Sequence, residues 1–108
     1  MVETPTIDLK SDHRRIVGEI LEAFAPDCAV WACGSRARGG ARRYSDLDLV
    51  LIASAPLPLG RLGDLREAFS ESDLPFRVDL VEWSAASPSF RARLARDMVI
   101  VRAPPPAT

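Results

Sequence analysis

The chain has 108 residues, 47% of them hydrophobic, and a formal net charge of −1. That length and apolar content fit one small folded domain and exclude a disordered chain, while the near-zero charge excludes a general electrostatic affinity for nucleic acid. No apolar run approaches the roughly 20 residues that span a bilayer, and the first residues lack a charged-then-apolar secretion signal, so a cytoplasmic protein without membrane contact is expected.

Ser11 is placed to cap a helix over residues 12–25, with Ile16, Val17, Ile20, Leu21 and Phe24 on one face. The lone histidine, His13, falls in the first turn and is expected to be exposed. Pro26 ends the helix. A short β-compatible run, 28–33, stops at Gly34. Cys28 and Cys33 would stand about 16 Å apart in one strand, beyond disulfide reach, and read as small buried residues.

Gly34-Ser35 is followed, after ten residues, by Asp46-Leu47-Asp48. Glycine lets the chain turn sharply and lets a ligand approach the backbone. A helix starting at Ser35 would point N–H groups and its positive dipole end at the turn, which favours phosphate. Asp46 and Asp48 share a strand face, their Cα atoms about 6.6 Å apart. Taken alone, such a pair is an ordinary solvated face. Here the apolar stretch Leu49–Ala53 follows, so the strand is expected to be central, and two like charges at its start call for a cation. Mg²⁺ takes one or two carboxylates together with phosphate oxygens and water.

Arg36, Arg38, Arg42 and Arg43 lie within eight residues. Guanidinium binds phosphate in bidentate fashion, although Arg42 and Arg43 also read as a solvated loop. Residues 53–58 form a linker, and Leu59–Ser72 a helix with Leu62, Leu65, Ala68 and Phe69 inward. Pro75–Trp83 is β-rich, Ser87-Pro88 opens a last helix, and Met98–Val101 is a fourth short strand. A single domain over 1–102 is expected, followed by a disordered proline-rich tail over 103–108.

Gly34-Ser35, the ten-residue gap and Asp46-Leu47-Asp48 resemble the signature of the DNA polymerase β-like nucleotidyltransferase superfamily. The fuller strings Gly34-Ser35-Arg36-Ala37-Arg38-Gly39 and Ser45-Asp46-Leu47-Asp48-Leu49 resemble its minimal nucleotidyltransferase branch, the MntA-type antitoxins of HEPN/MNT toxin–antitoxin systems. The resemblance implies an α/β (α+β) fold: a small mixed sheet of three or four strands flanked by helices. It implies nucleotide contacts at Gly34, Ser35, Arg36, Arg38 and Ser45, and a third carboxylate on a later strand. Asp79, between Val78 and Leu80, is the candidate; Glu82 falls on the opposite face.

On that resemblance Asp46, Asp48 and Asp79 are the catalytic and metal-binding residues, holding two Mg²⁺ ions, with ATP as substrate. Asp79 would take the acceptor proton. The chain is too short for an acceptor-holding helical domain. The resemblance therefore implies a hetero-oligomer in which AMP passes to a tyrosine of a HEPN-domain RNase toxin; the near-neutral charge and the lack of an acceptor pocket place that protein acceptor on the open face of the sheet, near Arg42, Arg43 and Tyr44. Two other functions stand beside this one: a non-catalytic antitoxin that binds its partner stoichiometrically, and a nucleotidyltransferase acting on a small molecule such as an antibiotic.

Overall fold

The computed structural model describes residues 9–34, 36, 44–53, 57–96 and 98–102. Helix α1 spans Ser11–Phe24. Its helical period buries Val17 and Leu21 completely and half-buries Ile16 and Ile20. Two details differ from expectation. The N-cap is Lys10, without a side-chain cap, so Ser11 is already helical. Phe24, in the last turn, is 39% exposed, and Ala25 takes the buried position instead. Ala25 leaves the helical region just before Pro26, as the proline ring requires of its predecessor.

Four strands follow the pattern of apolar runs: β1, Ala29–Cys33; β2, Leu47–Ile52; β3, Val78–Glu82; and β4, Val99–Arg102. Between them lie α2, Leu59–Ser70, a 3₁₀ turn at Trp83–Ala85, and α3, Pro88–Ala95. The turn was not foreseen: Trp83 continues the β-rich run in sequence, but the strand stops at Glu82. Helix α3 opens at Ser87-Pro88 as expected, and Ser87 caps it, its Oγ accepting from the Phe90 N–H at 3.2 Å, with Pro88 in the first turn.

The strands form one mixed sheet in the order β3-β2-β1-β4. β1 pairs antiparallel with β2 and β4, and β2 pairs parallel with β3. A parallel pair needs a crossover, which α2 supplies. β2 is central, as its apolar run predicts. Leu47, Leu49 and Leu51 face α1 and α2, packing with Val17, Leu21, Leu65 and Phe69. On the other face Val50 packs with Cys33 and with Leu94 of α3, beside Trp31, Val81 and Trp83. Cys28 and Cys33 are both buried. The linker end is held where Leu57 N–H donates to Glu82 Oε1 at 2.7 Å. The tail from residue 103 lies outside the described residues.

Candidate active site

Alternation along β2 sends Asp48 to the α3 face, together with Val50 and Ile52. In register, Asp48 stands opposite Cys33 of β1 and Asp79 of β3. Asp79 therefore shares its face, and Glu82, holding the linker, lies on the other. Asp46 sits one residue before β2, where Leu47 N–H donates to the Arg77 carbonyl at 2.9 Å and starts the parallel ladder. Two residues before Asp79, Arg77 points to the same side. Its Nη2 reaches Asp46 Oδ2 at 3.1 Å and Asp79 Oδ2 at 3.3 Å.

Three carboxylates are thus gathered around the start of the central strand, with one guanidinium drawn between two of them. Asp48 is half-buried, and its carboxyl titrates above the ordinary range. Burial is the main cause, followed by repulsion from Asp79 and Asp46 and a hydrogen bond with Asp79; Arg77 offsets part of this. Among the described residues no three such groups converge on a single ion as they stand, and Arg77 occupies the place between Asp46 and Asp79. The donor set nonetheless suits a hard divalent cation: all oxygen, all acidic, and under-neutralised at Asp48.

Gly34 is positioned by the end of β1 and has φ +82°, a left-handed value open to glycine. A Cβ there would stand 2.6 Å from Asp48 Oδ2. The glycine is needed for the turn and also for the seat of the carboxylate, a contact that the spacing of the motif does not reveal.

Arg36 differs from expectation. It is 5% exposed, stacks over the Phe76 ring at 4.1 Å, and donates from Nε to the Ser45 carbonyl at 2.9 Å. It faces the protein and leaves little surface for a phosphate. His13 packs edge-to-face with that ring, at 5.5 Å and 81°, and is half-buried where it was expected to be exposed. Ser45 is half-buried and joins this arrangement through its carbonyl. Tyr44 is 64% exposed. Ser35, Arg38, Arg42 and Arg43 lie outside the described residues. Sequence reasoning missed Arg77, although Arg-x-Asp on a strand is a same-face signal.

A glycine turn beside carboxylates on two neighbouring strands of a small mixed sheet is the arrangement of the candidate site. The nucleotidyltransferase domain family matches residues 13–101. The chain is 45% identical over 102 residues to a Haemophilus influenzae protein named probable protein adenylyltransferase MntA, spanning 94% of this chain and 90% of that one. A toxin–antitoxin crystal structure with AMP-PNP shares the fold with a TM-score of 0.70 at 22% identity, over 83% of this chain and 73% of that one. A structure of the tri-AMPylated Shewanella oneidensis HEPN toxin in complex with MNT antitoxin shares it with a TM-score of 0.66 at 18% identity, over 88% and 73%. The chain belongs to the nucleotidyltransferase domain family, in its MntA-type minimal branch, and is an enzyme of the nucleotidyltransferase class. Among the described residues no helix is long and apolar enough to cross a membrane.

Proposed function

We propose that this protein is a Mg²⁺-dependent protein adenylyltransferase that acts as an antitoxin, moving AMP from ATP to a tyrosine hydroxyl of a cognate HEPN-domain RNase toxin in the cytoplasm. The observation that carries the reading is the register of β2 and β3, which sets Asp48 beside Asp79, with Asp46 joined to Asp79 through Arg77. The Haemophilus influenzae relative, named an adenylyltransferase, and the fold shared with HEPN–MNT complexes support the acceptor class.

In the reaction the tyrosine oxygen attacks the α-phosphorus of ATP and the bond to pyrophosphate breaks. Asp79, on the strand beyond Asp48, receives the phenolic proton. Asp46, Asp48 and Asp79 would hold Mg²⁺, which neutralises charge developing on the phosphates. Gly34 keeps side-chain bulk away from Asp48. Ser35 and Arg38 are assigned to the phosphates by their place beside that turn. Arg36 is assigned to hold the segment bearing Asp46, through Ser45 and Phe76. Positioning and electrostatics supply most of the acceleration in such transfers, so a small domain suffices.

The test is to incubate the purified pair with ATP and Mg²⁺ and weigh the partner intact. The partner should gain the mass of AMP, and the gain should vanish with Asp46→Asn and with the acceptor Tyr→Phe. A partner whose mass stays constant while its RNase activity is blocked would mean neutralisation by binding alone.

A further inference from the structure

We propose that the cavity between α3 and the sheet is the seat of the nucleotide, with the base against Phe90 and the phosphates met by Arg93 and Arg96. This rests on the nucleotidyltransferase reading and adds three residues to it, none of them suggested by a motif. The cavity measures about 450 Å³ and is lined by Gly34, Asp48 and Val81 from the sheet side and by Phe90, Arg93 and Arg96 from the helix side. That is the size of a small-molecule site, and one wall is the carboxylate and the glycine at which transfer is placed.

The lining selects the ligand class. Arg93 and Arg96 are exposed, and among the described residues neither guanidinium has an ionic partner. Their neighbour Arg91 is different: its Nε donates to the Trp83 carbonyl at 2.9 Å, its Nη2 to the Ser84 carbonyl at 3.2 Å, and it lies over the Trp83 ring. One arginine of this segment fastens α3 to the 3₁₀ turn, and two are left at the cavity. The bland role for Arg93 and Arg96 is to complement the negative end of the helix dipole, which needs exposure but not a shared cavity with Asp48. That end alone would repel an anion, and two guanidiniums reverse the sign.

Phe90 is 40% exposed, an apolar ring left uncovered on the same wall. A neutral sugar has no use for two guanidiniums, and an inorganic anion has none for the ring. A nucleoside polyphosphate uses all three: the base stacks on the aromatic face, the phosphates take the arginines, and Gly34 leaves them room to approach Asp48.

Calorimetric titration of the whole chain with AMP-PNP and Mg²⁺ tests this without relying on turnover. Phe90→Ala should weaken binding roughly 10-fold, the order expected for one stacked base, and Phe90→Trp should restore it. The double variant Arg93→Gln with Arg96→Gln should weaken it by roughly 10-fold or more. Arg15→Gln, exposed on α1 across the sheet, should change nothing. Inorganic tripolyphosphate should be sensitive to the arginine pair and indifferent to Phe90→Ala. Melting curves close to wild type would show that the variants fold. If every variant binds AMP-PNP as the wild type does, the nucleotide lies elsewhere and the cavity assignment falls, while the transferase reading stands on the mass assay. If the wild type binds no AMP-PNP and transfers no AMP, both fall.

Discussion

Asp48 carries a charge that its surroundings resist. Its native carboxyl titrates above the unfolded value, through burial first and then Asp79 and Asp46. Between those two values the native state holds more protons than the unfolded chain, so stability falls as pH rises through the window. Asp48→Asn should therefore raise the melting temperature at pH 7 to 8 and lose that advantage in acid, while abolishing transfer. A lower melting temperature for the Asn variant at neutral pH would contradict this. Gly34→Ala tests the other half of the contact. The left-handed backbone costs an alanine about 1–2 kcal/mol, and its methyl group also displaces the Asp48 carboxylate. Denaturant titration should show that modest loss, with a much larger loss of transfer. Arg77→Gln would leave the three carboxylates less compensated still, which a lower melting temperature at neutral pH, recovered by added Mg²⁺, would report.

At the scale of elements, α3 is short, eight residues, and Leu94 is its one buried residue among those described. Its start depends on the Ser87 cap, and losing such a cap costs about 1 kcal/mol. Ser87→Ala should lower stability by that amount and weaken nucleotide binding as well, since the helix forms one wall of the cavity; unchanged AMP-PNP affinity would separate α3 from the site. The helix start was legible from Ser87-Pro88, because start signals are written in adjacent residues. The stack of His13, Phe76 and Arg36 was not, because its members come from α1, the turn after β1 and the approach to β3. An arginine inside a phosphate-binding motif reads as a phosphate ligand until the ring that covers it is known.

For the whole molecule, the crossover through α2 brings Asp79 back beside Asp48, and Arg61 of α2 ties the crossover to Asp27 in the turn after α1 at 2.5 Å. Nucleotide and Mg²⁺ together should therefore stabilise the entire fold, by about 2.7 kcal/mol at a hundred times the dissociation constant. Thermal melts with AMP-PNP, with Mg²⁺ and with both should give the largest shift for the pair, and Asp46→Asn should remove most of it. Equal shifts with and without Mg²⁺ would argue that the carboxylates do not share an ion with the phosphates.

Sequence by itself determined most of the elements and pointed to the carboxylates of the candidate site. Helical periods at Val17 and Leu21, the apolar run after Asp48, the Ser87-Pro88 helix start and the spacing from Gly34 to Asp46 and Asp48 are all patterns among near neighbours, where backbone geometry fixes which side chains share a face. Only the tertiary structure decided the rest: that Asp79 pairs in register with Asp48, that Arg77 lies between Asp46 and Asp79, that Arg36 turns inward onto Phe76, and that α3 closes a cavity over Gly34. Those contacts join residues far apart in the chain, and their geometry follows from how strands and helices pack, for which no local run of residues carries a signal.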